Sequence, residues 1–290
     1  MFIRSREIIG LGKMYKIRET KDITIPELSI YRDYNENQLR RIYEPKEGIF
    51  IAETGLVLER ALEAGYEPIS LLLEEEMAQK DGRKLIEKCE NAEIYTASRK
   101  MLQSLTGYNL TRGVLCAMRR KVLQKCNELS AKAERIAILE DVMNPTNVGA
   151  IFRSAAAMGM DAVLLTKGCA DPLYRRAIRV SMGNVFLLPW TYICGSTAEE
   201  LKRLKEEGFF TAALALNEES ISIADPILKR NEKVALVLGT EGSGLKQETI
   251  RACHAAVKIP MKEGVDSLNV AAASAVAFWE VGKRNLGGKI

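Results

Sequence analysis

The chain of 290 residues is 47% hydrophobic and 28% charged, enough apolar material for a buried core in each of two compact domains. No apolar run approaches the roughly 18 residues of a membrane-spanning helix, and the charges in MFIRSREIIG interrupt what would be a signal peptide's apolar stretch, so a cytoplasmic protein without a membrane partner is expected. A formal charge of +4 and a pI near 8.6 suit a polyanionic partner without identifying one.

In chain order, residues 1–29 read as an extension or arm. From Gly48 short apolar runs alternate with helical patterns: GIFIAE, TGLVLERALEAG, PISLLLEEEM, a charged helix near Arg83–Glu90, then AEIYTAS, RKMLQSLTG and GVLCAMRR. Strand-length runs separated by helices predict a small α/β domain over residues 30–120. The stretch Arg119–Glu134 is polar and helix-prone, and residues 121–133 within it are the expected linker. A longer α/β series fills residues 134–290: RIAILED, a loop and a helix, DAVLLT, a helix, VFLLPW, the helix TAEELKRLKEEG, FFTAALAL, KVALVLG, AVKIP and a closing Ala-rich helix. Runs such as VALVLG lack polar alternation, which predicts strands covered on both faces in a parallel sheet.

Cysteine and histidine usage narrows the chemistry. Cys89, Cys116, Cys126, Cys169, Cys194 and Cys253 form no CxxC pair, so they point to neither a zinc knuckle nor a disulfide framework and read as reduced, mostly core thiols. His254 is the single histidine and directly precedes the strand-like AAVKIP, where a surface or strand-edge place is expected. Imidazole-centred hydrolysis and histidine-rich metal sites are thereby disfavoured, and no metal is expected.

In open α/β sheets the ligand crevice lies beyond the carboxyl ends of the strands, and three polar clusters follow strands in the second series. In EDVMNPTNVGAIFRSAAAMG, Glu140–Gly159, Asn144, Pro145, Thr146 and Asn147 break the chain, Asn147 is placed to cap a helix opened by Gly149, and Arg153 follows among small and apolar residues. An arginine in so apolar a helix needs a partner, either a salt bridge to Glu140 or Asp141 or a functional one. GTEGSGLK, Gly239–Lys246, nearly matches a P-loop. Leu245, however, stands where the phosphate-binding lysine belongs and Gln247 replaces the magnesium-binding hydroxyl, which disfavours a nucleoside triphosphatase. The loop is no GxGxxG either, so a dinucleotide fold gains little. Its glycines either let the backbone approach a ligand, with Glu241 nearby, or make a tight turn with Glu241 at a solvated tip. In IPMKEGVDSLNVAAASAVAFWE, Ile259–Glu280, Pro260 ends a strand, Gly264 allows a tight loop and Ser267 or Asn269 starts a helix. Ala271, Ala272, Ala273, Ser274 and Ala275 give that helix a thin face, open to close approach by another helix or a ligand.

Together the three loops resemble the SpoU-like (TrmH-type) branch of the SPOUT methyltransferases, with N-x-G-x-x-x-R at Asn147–Arg153, G-x-E-x-x-G at Gly239–Gly244 and P-M-x-x-G-x-x-S-L-N-V at Pro260–Val270. RAIRVSMGNVFLLP, Arg176–Pro189, is similar to the family's intervening stretch, with Arg179, Ser181 and Gly183 in place. The resemblance implies an S-adenosylmethionine-dependent methyltransferase acting on tRNA or rRNA at a ribose 2′-hydroxyl. It implies a C-terminal α/β domain whose chain threads a trefoil knot, a rare exception to the rule against knots. It implies a homodimer with the active site near the subunit interface. The cofactor would lie against Leu238, Gly239, Thr240, Gly242, Ile259, Pro260, Met261, Ser267, Leu268 and Asn269. IFIAETGLVLERALEAGY resembles the RNA substrate-binding domain that many relatives carry, although Glu53-Thr54-Gly55 departs from the usual acidic-glycine pair.

Methyl transfer from a sulfonium to a ribose hydroxyl is an in-line displacement with a neutral leaving group, so the protein must align and deprotonate. The expected catalytic set is Arg153, Asn147, Glu241, Ser267 and Asn269. A guanidinium is effectively always protonated, which makes Arg153 a poor base. Arg153 is expected instead to anchor the adjacent phosphate and stabilise the developing alkoxide, with Asn147 and Asn269 orienting groups around it and Glu241 or Ser267 assisting proton movement. Lys167, Arg175, Arg176 and Arg179 are candidate phosphate contacts. The competing readings are a knotted RNA-binding protein that has lost chemistry, an RNA base methyltransferase, and an α/β enzyme with another nucleotide cofactor.

Overall fold

A computed structural model describes residues 3–10, 13–42, 48–80, 82–106, 113–240, 242, 244–264 and 267–282. It divides into two compact units, one of residues 1–122 and 173–183, the other of residues 123–172 and 184–290.

The first unit is built on a mixed six-stranded sheet in the order β1-β2-β5-β4-β6-β3. Its strands are β1 (Ile3–Gly10), β2 (Lys13–Thr20), β3 (Ile49–Glu53), β4 (Pro68–Glu74), β5 (Glu93–Ala97) and β6 (Val114–Arg119). The stretch read as an arm thus supplies an antiparallel hairpin, and β2 continues the sheet in parallel with β5. Tyr15 and Ile17 alternate with exposed Met14 and Lys16, so β2 buries one face as a half-covered strand should. Between the strands run α1 (Ser29–Arg32), α2 (Glu36–Arg41), α3 (Gly55–Glu63), α4 (Glu75–Gln79), α5 (Gly82–Lys88) and α6 (Arg99–Thr106). Asn35 and Gln38 close a capping box at the start of α2. The turn from β3 into α3 places Thr54 at φ 77° and ψ 150°, backbone that glycine adopts without strain and threonine does not.

The second unit holds a seven-stranded sheet in the order β11-β13-β10-β12-β7-β8-β9, and every adjacent pair in it is parallel. Its strands are β7 (Arg135–Leu139), β8 (Ala162–Leu165), β9 (Trp190–Tyr192), β10 (Phe210–Leu214), β11 (Ile221–Ser222), β12 (Val234–Leu238) and β13 (Ala255–Lys258). Every residue of β7, β8 and β12 is buried, as the unalternating apolar runs require. The helices that follow α6 are α7 (Cys126–Ser130), α8 (Pro145–Ala157), α9 (Arg175–Val180), α10 (Thr197–Glu206), α11 (Pro226–Arg230), α12 (Gln247–Ala252) and α13 (Val270–Val281). Of these, α9 is grouped with the first unit, where it packs on β3.

Three local expectations are corrected. VFLLPW is not a strand: Asn184–Phe186 form a 3-10 turn and β9 begins only at Trp190, because Pro189 has no N–H and joins the ladder through its carbonyl to Val163 alone. The helix after β7 opens at Pro145 and not at Gly149, which lies inside it. Its cap is Asn144, whose Oδ1 accepts from Thr146 N at 2.8 Å, and Asn147 is a buried residue of the first turn.

The end of the last helix is fixed from the start of the first core strand. Arg135 is only 5% exposed, and its guanidinium donates to the carbonyls of Glu134, Asn231, Glu232 and Val281, the last at the carboxyl end of α13. Burial pulls this guanidinium below its ordinary pKa, with nearby Asp161 opposing that shift. Asp161 itself accepts from the backbone of Glu134 and Arg135.

Candidate active site

Strands β13, β10, β12 and β7 lie side by side and parallel, so their carboxyl ends open on one edge of the sheet. The loops leaving β10, β12 and β13 surround a cavity of about 640 Å³ there, which α12 and α13 complete. That volume falls in the range of roughly 300–1,000 Å³ typical of small-molecule sites.

The loop after β12 is folded back on itself by an isolated antiparallel bridge between Thr240 and Gly244. Gly242 and Gly244 take φ values of 93° and 67°, which only glycine holds without strain, and an added Cβ at either would meet nothing within 4 Å. A Cβ at Gly239 would lie 2.7 Å from the carbonyl carbon of Gly244, so this glycine is required for the loop to close. Glu241 lies outside the described residues.

An acidic latch behind the cavity holds this loop. Glu140, directly after β7 and 2% exposed, accepts from Lys246 N at 2.9 Å and from Thr249 Oγ1 at 2.6 Å, and so ties the first turn of α12 to the end of β7. Asp141, at φ 55°, reaches the Lys246 ammonium at 3.3 Å and raises its pKa, chiefly through that side-chain hydrogen bond. Thr166 Oγ1 accepts from Asp141 N and donates to Asp141 Oδ1. By sequence both acids are candidate partners of Arg153 alone. Their commitment to Lys246 and Thr249 is a role hidden in the sequence, where its one signal is a glutamate closing the apolar run IAIL.

Asn269 caps α13, its Oδ1 accepting from Ala271 N at 2.9 Å and Ala272 N at 3.4 Å, while its Nδ2 donates to Asn147 Oδ1 on α8 at 3.2 Å. The two asparagines of the first and third motifs are therefore one hydrogen-bonded pair. The thin face of α13 meets another helix, the first of the two uses it allows. The helix packs along α8, and Ala273 also lines the cavity.

Of the residues expected to hold a cofactor, Leu238, Gly239, Thr240, Gly242, Ile259, Met261, Ser267, Leu268 and Asn269 all line the cavity, whereas Pro260 does not and is exposed. Of the expected catalytic set, Ser267 and Asn269 line it, and Asn147 touches it through Asn269. Arg153 is not part of the lining and stands on the exposed side of α8. Among the described residues it has no ion pair, so neither Glu140 nor Asp141 accounts for it.

The sequence profile of the SpoU rRNA Methylase family matches residues 134–279 of the chain. The chain belongs to the SpoU rRNA methylase family. Among relatives of this SpoU methylase, an uncharacterized tRNA/rRNA methyltransferase of Mycobacterium bovis is 37% identical over 270 residues, which cover 91% of each chain. The 23S rRNA (guanosine-2′-O-)-methyltransferase RlmB of Xanthomonas campestris is 31% identical over 80% of this chain and 90% of its own. The SpoU methylase also shares its fold with the AdoMet-bound rRNA methyltransferase of Sinorhizobium meliloti, with a TM-score of 0.75 and 22% identity over 91% of this chain and 97% of that one. Among the described residues of the SpoU methylase no group of His, Cys, Asp and Glu is gathered as a metal site, and no helix is long and apolar enough to cross a membrane. The six cysteines are free thiols, and burial pushes those of Cys126 and Cys253 up to about 12.

Proposed function

We propose that this SpoU methylase transfers a methyl group from S-adenosylmethionine to a ribose 2′-hydroxyl of tRNA or rRNA, with its chemistry confined to the loops after β7, β12 and β13. The observation that carries the reading is the cavity at the strand ends, which draws its walls from the second and third motifs and is tied to the first by the Asn147–Asn269 bond. The donor set fits the cofactor. Leu214, Leu216, Ile250 and Leu268 offer apolar surface for an adenine ring and the methionine chain, and the backbone of Gly239, Thr240, Gly242 and Gly244 offers carbonyl and amide groups for the polar ends. S-adenosylmethionine supplies the electrophilic methyl group and leaves as a neutral thioether, so no metal is needed.

The chain's own part is alignment and charge. Asn147 and Asn269 orient each other, and Asn269 spends its Oδ1 on the α13 backbone, which leaves its Nδ2 edge directed at Asn147 and the cavity mouth. Ser267 and Glu241 are the proposed proton carriers. Arg153, exposed on the same helix as Asn147, is the proposed anchor for the phosphate beside the target ribose and for the developing alkoxide.

The reading includes a homodimer. α13 turns Val276 and Trp279 to solvent at 41% and 53% exposure, an apolar face that a second copy would cover. It also includes the trefoil knot, supported by the late strand β13 lying between the earlier β10 and β11. The first unit is the proposed RNA-presenting domain. Calorimetric titration with S-adenosylmethionine, NAD and ATP, followed by mass mapping of ribose methylation in RNA from a deletion strain, tests the whole reading. Binding of S-adenosylmethionine alone and the loss of one ribose methyl in the deletion strain are expected. A lost base methyl would favour base methylation, and intact RNA methylation would favour a binding protein without chemistry.

A further inference from the structure

The segment 173–183 overlaps the family-like stretch Arg176–Pro189, yet it is grouped with the first unit. Its beginning is held by α2, where Tyr174 OH donates to Asn37 Oδ1 at 2.6 Å and Arg175 N to Glu36 Oε1 at 2.9 Å. Its end is held by α3, where Arg60 donates to Met182 O at 2.7 Å and Gly183 sits so close that a Cβ would be 3.4 Å from Val57 Cα. Between them stands Glu53, the last residue of β3. Its side chain is 4% exposed, and Oε1 accepts from Arg175 Nε at 2.6 Å and Nη2 at 2.5 Å, while Oε2 faces Arg179 Nη1 at 3.6 Å.

A buried carboxylate is tolerated only when paired, and here one carboxylate meets two guanidinium groups. The division between them is unequal. Arg175 gives two nitrogens at short range and its side chain is 25% exposed, whereas Arg179 gives one nitrogen at longer range and its side chain is 43% exposed. A two-nitrogen grip on a carboxylate occupies the same donors that a phosphate would take. By sequence both arginines are candidate phosphate contacts, and their pairing with Glu53 separates them.

Resting on the reading of RNA as the substrate, we propose that Glu53 is a positioning residue for the RNA backbone. It withholds Arg175 from the phosphates and sets the bearing of Arg179, so that the surface of α9 grips RNA at a fixed point and not wherever charge allows. Removing the carboxylate therefore strengthens indiscriminate binding while weakening productive binding, a combination that simple loss of structure does not give.

The test compares full-length wild type, E53Q, E53D, R175Q and the E53Q/R175Q pair. The slope of log affinity against log salt is measured for a labelled polyuridine oligonucleotide, alongside methyl transfer to total RNA from a deletion strain. One added contact to a single strand steepens the slope by about 0.7, the change expected for E53Q. Transfer by E53Q should fall about tenfold with S-adenosylmethionine affinity unchanged, as loss of alignment predicts. E53D should keep the wild-type slope, and the pair should return to it. An E53Q slope equal to wild type, or a steepened slope that survives in the pair, overturns the proposal. If E53Q does not fold, R175Q decides. Glu53 then draws Arg179 inward and the slope flattens by about 0.7, and an unchanged slope overturns the proposal. A wild-type protein that binds the oligonucleotide but transfers no methyl group overturns the methyltransferase reading alone, and one without measurable affinity for it overturns both.

Discussion

Arg153 stands on the solvent side of α8 while Asn147, two turns earlier, is buried and bonded to Asn269. An arginine in so apolar a helix needs no protein partner here, since position 153 faces water and costs nothing there. What remains is an arginine available to a ligand. Arg153→Ala should bind S-adenosylmethionine as wild type does by calorimetry and lose about a hundredfold or more in methyl transfer to RNA, the usual scale for removing one charge-stabilising donor. Near-normal transfer would remove Arg153 from the mechanism. Thr54 is a second residue whose backbone speaks for it. Its φ of 77° and ψ of 150° belong to glycine, so Thr54→Gly should raise stability by about 1 kcal/mol, read as a higher denaturation midpoint. The departure from an acidic-glycine pair, visible in the sequence, is thus a site of strain and not a change of fold.

At the scale of the element, the glycine-rich loop shows how closely backbone can be folded when no side chain intervenes. Gly239→Ala places a methyl 2.7 Å from the Gly244 carbonyl carbon and 2.8 Å from Leu245 N, so the bridge at Thr240 and Gly244 must open. The variant should remain folded by circular dichroism and lose about tenfold in S-adenosylmethionine affinity, or roughly 1.4 kcal/mol. Unchanged affinity would mean that the loop does not shape the cavity. Most of this part of the fold was legible in the sequence. The unalternating runs RIAIL and VALVL became wholly buried parallel strands, and the loops after β12 and β13 gave most of the cavity lining, the loop after β7 reaching it only through the Asn147–Asn269 bond. Two kinds of signal misled. Asn144 and Asn147 are equally good caps by composition, and only Pro145 at the first helical position chooses between them. VFLLPW has the apolarity of a strand, but Pro189 withholds the N–H a strand needs at that point. Glu140 was not legible as a latch, because its partners at Lys246 and Thr249 are more than a hundred residues away in the chain.

Stability of the whole molecule should depend on pH through His254. Its Nδ1 accepts from Thr211 N at 3.0 Å, an arrangement open only to the neutral ring, and it stacks on Phe210 at 5.2 Å. Burial, with Lys205 nearby, holds its pKa below the ordinary imidazole value of 6.5. The folded state therefore binds the proton less readily than the unfolded chain, so the stabilisation is full above the unfolded value and is lost as pH falls below it and through the lower folded-state pKa. The imidazole is largely exposed, and the decline between neutral and mildly acid conditions should be shallow. His254→Gln should flatten that limb of the denaturation midpoint against pH, and an equal slope in both proteins would assign it to other groups.

The path of the chain between its two units has a consequence for how such a protein is taken apart. The backbone crosses from one unit to the other after residues 122, 172 and 183. A protease or a cloning boundary placed near residue 122 would therefore not yield two independent modules. The downstream fragment would carry Leu173, Ala177 and Ile178, each about 1–2% exposed, with the β3 surface against which α9 packs left behind. Grafting the methylase half onto another N-terminal module would meet the same obstacle. The graft would have to carry a surrogate for Glu36, Glu53 and Arg60, or exchange the 173–183 segment together with the module, which makes the apparent two-part architecture a single heritable unit.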